Sequence, residues 1–158
     1  MTSPRFNRRV GPAGFTLTEL LIVMVVVAIL IAIAVPIYTQ QVQESRRTEA
    51  KNAVLELASR EERYFSTANS YSTDPTQLGY STSAGATFPQ STGTYYQITV
   101  AVPDPNWAGS GASYVITATP AAGSPQLNDS SCQSFSVTQT GVQSAENSSG
   151  TSNPSCWQ

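Results

Sequence analysis

Glu19 is the side chain whose position asks for chemistry. It is the only acid among the first 43 residues, and it stands directly before Leu20–Val35, sixteen apolar residues without a break. An acid near the middle of a membrane-inserted helix costs roughly 2.5–3.5 kcal/mol, and less near the interface, so a carboxylate placed there implies a function and a partner. Other reactive residues are sparse. Histidine, the commonest general base and metal ligand, is absent. The remaining carboxylates are scattered, with no acid/base pair and no metal-ligand spacing, so no enzyme, cofactor or metal site is expected. Eight basic and ten acidic side chains leave a net charge of −2. No basic patch fit for a polyanion is visible, and direct nucleic-acid binding is not supported. Cys132 and Cys156 are the two cysteines. In an exported chain an even pair reads as a disulfide, closing a loop of about 25 residues and contributing roughly 3.5 kcal/mol in the chain-entropy model. Two free buried thiols are the alternative.

The elements that must position these residues begin with a stem. From Leu20 to Gln43 there is no charge, enough at ~1.5 Å per residue to cross a ~30 Å hydrocarbon core. Arg5, Arg8 and Arg9 precede it, which orients the amino terminus to the cytoplasm and the rest outside. A plain single-pass anchor predicts the same topology. A conventional signal peptide is a third reading: Ala32-Ile33-Ala34 has the small-x-small form of a signal-peptidase site, and a soluble product would then begin near Val35. Neither alternative accounts for Glu19. Pro36 lacks a backbone donor and is expected to kink the helix.

Beyond Tyr38 the pattern turns amphipathic. Ala50, Val54, Leu57, Ala58 and Phe65 recur at three- and four-residue steps and define one apolar stripe. Glu56 and Arg60 form an i,i+4 pair, while Arg46, Arg47, Glu49 and Lys51 read as a solvated face. The stretch 66–94 is polar and turn-rich, broken by Asp74-Pro75 and Gly79, with Tyr71, Leu78 and Tyr80 available to pin it. Strand alternation follows at 96–102, 113–119 and 134–139, with a turn-rich 103–111 and a further strand around Val142. Three or four antiparallel strands laid on the stripe would bury it. Trp107 and Trp157 read as core anchors, and Gln143–Ser155 as a polar surface loop. Asn128-Asp129-Ser130 and Asn147-Ser148-Ser149 match the glycosylation sequon, a triplet common by chance in such sequence.

Gly14-Phe15-Thr16-Leu17-Thr18-Glu19 followed by Leu20–Val35 resembles the class III signal of type IV pilins and of the related type II secretion pseudopilins. Thr18 departs from the more usual apolar residue before the acid. The resemblance implies that residues 1–14 are a leader removed by a prepilin peptidase at the Gly14–Phe15 bond, with N-methylation of the new terminus at Phe15. It implies an assembly charge pair between Glu19 and the Phe15 amine, its own or a neighbour's. Pro36 matches the proline of the helix-loosening region in assembled pilins. Cys132 and Cys156 match the disulfide that closes the family's D-region. Leu78-Gly79-Tyr80 and Cys156-Trp157-Gln158 are most like a PilE-type minor pilin of twitching-type pili.

The expected fold is therefore α+β. A long amino-terminal helix, membrane-spanning over 15–38 and amphipathic over 39–65, leads through an αβ-loop over 66–94 to a small antiparallel sheet with a disulfide-closed region over 95–158. The expected function is that of a structural subunit of a type IV pilus supporting twitching motility, adhesion or DNA uptake. Its implied partners are other pilin subunits, the prepilin peptidase/methyltransferase and the assembly platform of the bacterial inner membrane. The implied location is that membrane as a single pass, then the extracellular fibre. A type II secretion pseudopilin and a membrane-anchored extracytoplasmic binding module are the alternatives.

Overall fold

A computed structural model describes residues 14–80, 88, 95–103, 109 and 111–158. The leader arginines, Trp107, most of 81–94 and most of the turn-rich 103–111 lie outside the described residues. The chain forms two compact units, one ending at Thr39 and the other spanning Gln40–Gln158. A 52-residue helix, α1 (Leu17–Ala68), supplies the stem of the first and the opening element of the second.

In the first unit every residue from 14 to 39 is exposed. The run of β-branched residues there is poor helix material in water, but a helix satisfies its own backbone and lipid offers that backbone no other partner. Pro36 sits inside α1, where its missing N–H deprives the Ala32 carbonyl of its helical bond. The helix continues through it, and the Thr39 hydroxyl donates to the Pro36 carbonyl at 2.8 Å.

In the second unit α1 ends three residues later than its apolar pattern suggests. Asn69 closes it with φ 52° and donates its N–H to the Phe65 carbonyl at 2.9 Å, the left-handed cap that Asn tolerates better than most residues. Four strands follow: β1 (Tyr96–Ala101), β2 (Val115–Pro120), β3 (Ser134–Thr138) and β4 (Gln143–Glu146). They form one antiparallel sheet in the order β1-β2-β3-β4. The pairings Ile98–Ala118, Ile116–Val137 and Phe135–Ala145 place one residue of each alternating pair on the same face. These residues, with Tyr96, form the buried core together with Ala50, Val54 and Leu57 of α1. Tyr96 and Trp157 meet Phe135 edge-on, each with ring centroids 5.9 Å away.

Two boundaries differ from the sequence reading. Tyr114 and Ser113 are buried ahead of β2 rather than within it. Val142 is 56% exposed in the turn, and the strand begins one residue later. Gln143–Glu146 is therefore strand, not loop. Gly141, at φ 76°, reverses the chain with its N–H on the Thr138 carbonyl, and the open edge of β3 then recruits whatever backbone follows. Pairing through the main chain asks little of the outward side chains, and only Ala145 turns inward.

The outer side of β4 is covered by the segment that follows it. Asn153 N–H donates to the Ala145 carbonyl at 2.7 Å, the Trp157 indole N–H donates to the Ser144 carbonyl at 2.7 Å, and Glu146 bridges to Ser152. The Cys132–Cys156 disulfide ties that segment down. Trp157 is half-buried over Phe135 rather than a core residue.

Candidate functional site

The helix start is built by Thr16. Its hydroxyl accepts the Glu19 N–H at 3.2 Å, and its carbonyl accepts the Leu20 N–H at 3.2 Å. Thr16 thus makes the N-cap half of a capping box, and Glu19 is an acid in the first turn, where the helix dipole favours a negative charge. Sequence reasoning passed over Thr16, although Thr-x-x-Glu ahead of an apolar run is a recognised signature. The Gly14–Phe15 bond lies just before the cap. Phe15 is 80% exposed, and a side-chain carbon at Gly14 would meet nothing within 4 Å. Behind Glu19 the stem is long and apolar enough to cross a membrane and keeps none of that surface inside the fold. The arrangement places one carboxylate at the start of an apolar rod, four residues after the exposed Phe15. Among the described residues no group of three or more His, Cys, Asp and Glu could hold a metal ion.

In the second unit the segment read as a solvated face is instead a set of anchors. Arg47 reaches a residue 82 positions away, donating from Nε to Asp129 Oδ2 at 2.6 Å and from Nη2 to Oδ1 at 2.8 Å. Asp129 Oδ1 also accepts the N–H groups of Ser131 and Cys132, so the ion pair orders the chain leading into the disulfide. The hydrogen bond to Asp129 raises the Arg47 pKa, against the opposing effect of burial. Lys51 Nζ donates to the Cys156 carbonyl at 3.0 Å, holding the other half of the bridge. Arg46 stacks over the Tyr95 ring at 4.2 Å. The Glu56–Arg60 pair forms as its spacing suggests, at 2.8 Å, and Arg60 further donates to the carbonyls of Leu78 and Gly79. Tyr71 and Leu78 pin their segment as expected, Tyr71 stacking on Phe65 at 4.7 Å and meeting Tyr114 edge-on. Glu61, which sequence reading did not single out, is fully buried on the apolar stripe.

A capped apolar stem continuing into an amphipathic helix, with a four-stranded antiparallel sheet and a disulfide over its last strand, defines a type IV pilin. Residues 11–35 match the prokaryotic N-terminal methylation motif. Residues 36–136, more than half of the chain, match the family described as type IV minor pilin ComP, DNA uptake sequence receptor, and the chain belongs to that family. It is also similar to the type IV major pilin protein PilA of Myxococcus xanthus (strain DK1622), with 35% identity over 85 residues, covering 54% of this chain and 38% of that protein's length. The fold, the methylation motif and the family match make the chain a type IV pilin, with an apolar helix long enough to cross a membrane.

Proposed function

We propose that the chain is a minor pilin precursor, cut between Gly14 and Phe15, N-methylated on Phe15 and then drawn into a fibre by Glu19. The precursor sits with its amino terminus in the cytoplasm, where a membrane peptidase/methyltransferase reaches the exposed bond. Processing there leaves a basic amine on Phe15 and keeps the apolar stem. Glu19 pairs with that amine, on its own subunit or a neighbour, because two opposite charges at the edge of lipid recover together part of what each loses alone. An inner-membrane platform adds subunits at the base of the fibre. The Pro36 region is where the stem has a helical bond to spare for loosening.

The observation that carries this reading is the Thr16-capped helix start, with an open Gly14–Phe15 bond before it and an unburied apolar stem behind. Mass spectrometry of the mature amino terminus tests it. N-methylphenylalanine at position 15 is expected; an intact leader, or a terminus at Val35, overturns it. Glu19→Ala is expected to leave cleavage intact and reduce incorporation into sheared fibres at least tenfold. Normal incorporation would remove the role given to that acid. Recovery of the chain from the envelope alone, never from surface fibres, favours a type II secretion pseudopilin.

DNA capture is a second reading, favoured by the family's description as a DNA uptake sequence receptor. The side-chain balance opposes it, since removing Arg5, Arg8 and Arg9 takes −2 to −5. Arg46, Arg47, Lys51 and Arg60 are also already engaged within the fold. A gel-shift series with increasing salt decides it: binding that weakens steeply with salt supports a phosphate-contacting surface, and no shift at low salt rejects it.

A further inference from the structure

Glu61 continues the α1 stripe set by Ala50, Val54 and Leu57, yet it is an acid with no exposed surface. Its Oε2 accepts the Ser72 N–H at 3.1 Å, and its Oε1 is buried without a hydrogen-bond partner. The adjacent cation does not neutralise it. Arg60 is committed to Glu56, to the carbonyls of Leu78 and Gly79, and to the Tyr80 ring 4.3 Å away. One N–H is poor compensation for a dehydrated carboxylate, whereas a neutral acid loses far less on burial. Burial therefore pushes Glu61 up to about 7; the Ser72 N–H opposes the shift and the charge of Glu62 adds to it. The other ionisable groups facing it are Tyr71 and Tyr80 from the segment after α1, and Tyr114 ahead of β2. Burial raises all three further above the ordinary tyrosine range.

What Glu61 holds is the first bead of a small network. The Ser72 hydroxyl accepts the Asp74 N–H and donates to Gln77. Asp74 Oδ1 accepts both the N–H and the hydroxyl of Thr76. Leu78, the residue after Gln77, is 4% exposed. We propose that Glu61 is a proton-operated latch: as the neutral acid it seats Ser72–Tyr80 against α1 and the approach to β2, and as the anion it releases that segment. The seated form keeps the proton that the released form loses. Seating is therefore fully favoured below the ordinary glutamate value of 4.5 and weakens until the pH passes about 7. An extracellular subunit so built presents this surface differently in acid and in neutral surroundings.

Hydrogen exchange of the full chain in detergent micelles tests the latch, with labelling times scaled to the intrinsic rate at each pH. Opening of Ser72–Tyr80 is expected to rise about tenfold or more between pH 5.5 and pH 8, while β3 stays protected. Glu61→Gln should flatten that response and Glu62→Gln should leave it in place. Equal protection at both pH values, protection of Ser72–Tyr80 as high as that of β3 at pH 8, a response surviving Glu61→Gln, or one abolished by Glu62→Gln each overturns the proposal. Should Glu61→Gln fail to fold, the carboxyl carbon shift of Glu61 in the parent chain decides. A midpoint near 7 supports the latch, and one near 4.5 ends it.

Discussion

Replacing Arg47 with Met should cost this protein more than any change to its exposed charges. Asp129 has a side chain only 2% exposed and Arg47 one 21% exposed, and they meet through two short, parallel hydrogen bonds. Met keeps much of the aliphatic stem but leaves the Asp129 carboxylate with two backbone N–H groups and no countercharge. Stranding one member of a buried pair costs about 3–5 kcal/mol. Because Arg47 retains some water, the lower end applies, about 3 kcal/mol. For a unit of this size that corresponds to a fall in Tm of about 10 °C or more. The assay is thermal unfolding of the full chain in micelles, followed by near-ultraviolet circular dichroism. A double-mutant cycle with Asp129→Asn should give a coupling of about 2 kcal/mol or more. The Glu56–Arg60 pair serves as the internal control; Glu56 is 58% exposed, and its coupling should stay below about 0.5 kcal/mol. Salt at about 1 M should erase the second coupling and leave most of the first. The reasoning fails if the two couplings match, or if Arg47→Met shifts Tm by less than about 2 °C.

Two further outcomes are expected. Converting both Cys132 and Cys156 to Ser should lower stability by roughly 3.5 kcal/mol, seen as a lower denaturant midpoint that no longer responds to reductant, given the separation of 24 residues between the bridged positions. Global stability of the parent should decline as pH rises from 4.5 to about 7, because the folded state holds the Glu61 proton more tightly than the unfolded state does. Its ceiling is about 3 kcal/mol, and the slope should vanish in Glu61→Gln whatever that variant's absolute stability.

What was legible in the sequence was what depends on neighbours along the chain. The stem, the methylation motif, the Glu56–Arg60 pair and the alternation in β1, β2 and β3 are all short-range patterns, and each appears where its spacing places it. The stripe from Ala50 to Leu57 was equally plain. Glu61 was not, because a hydrophobic template skips an acid even when its four-residue step continues the series. Arg47 read as surface for a different reason: its partner lies across the fold at Asp129, and no local pattern links the two. β4 was legible only as a strand around Val142, and its run over Gln143–Glu146 read as loop because it joins the sheet through main-chain bonds, for which polar side chains give no sign. Thr16 was visible in principle, in a box whose acid had drawn all the attention.

The sealed flank of β4 has a consequence for life at high density. Unassembled copies waiting side by side in a bilayer would, with a bare sheet margin, offer one another a template for indiscriminate strand zippering. Here the Ala145 carbonyl on that margin is already spoken for by Asn153 and Glu146 is bridged to Ser152, and a covalent stitch keeps them so. In the proposed fibre, contacts between neighbours on that side are left to side chains, whose fit is specific and reversible.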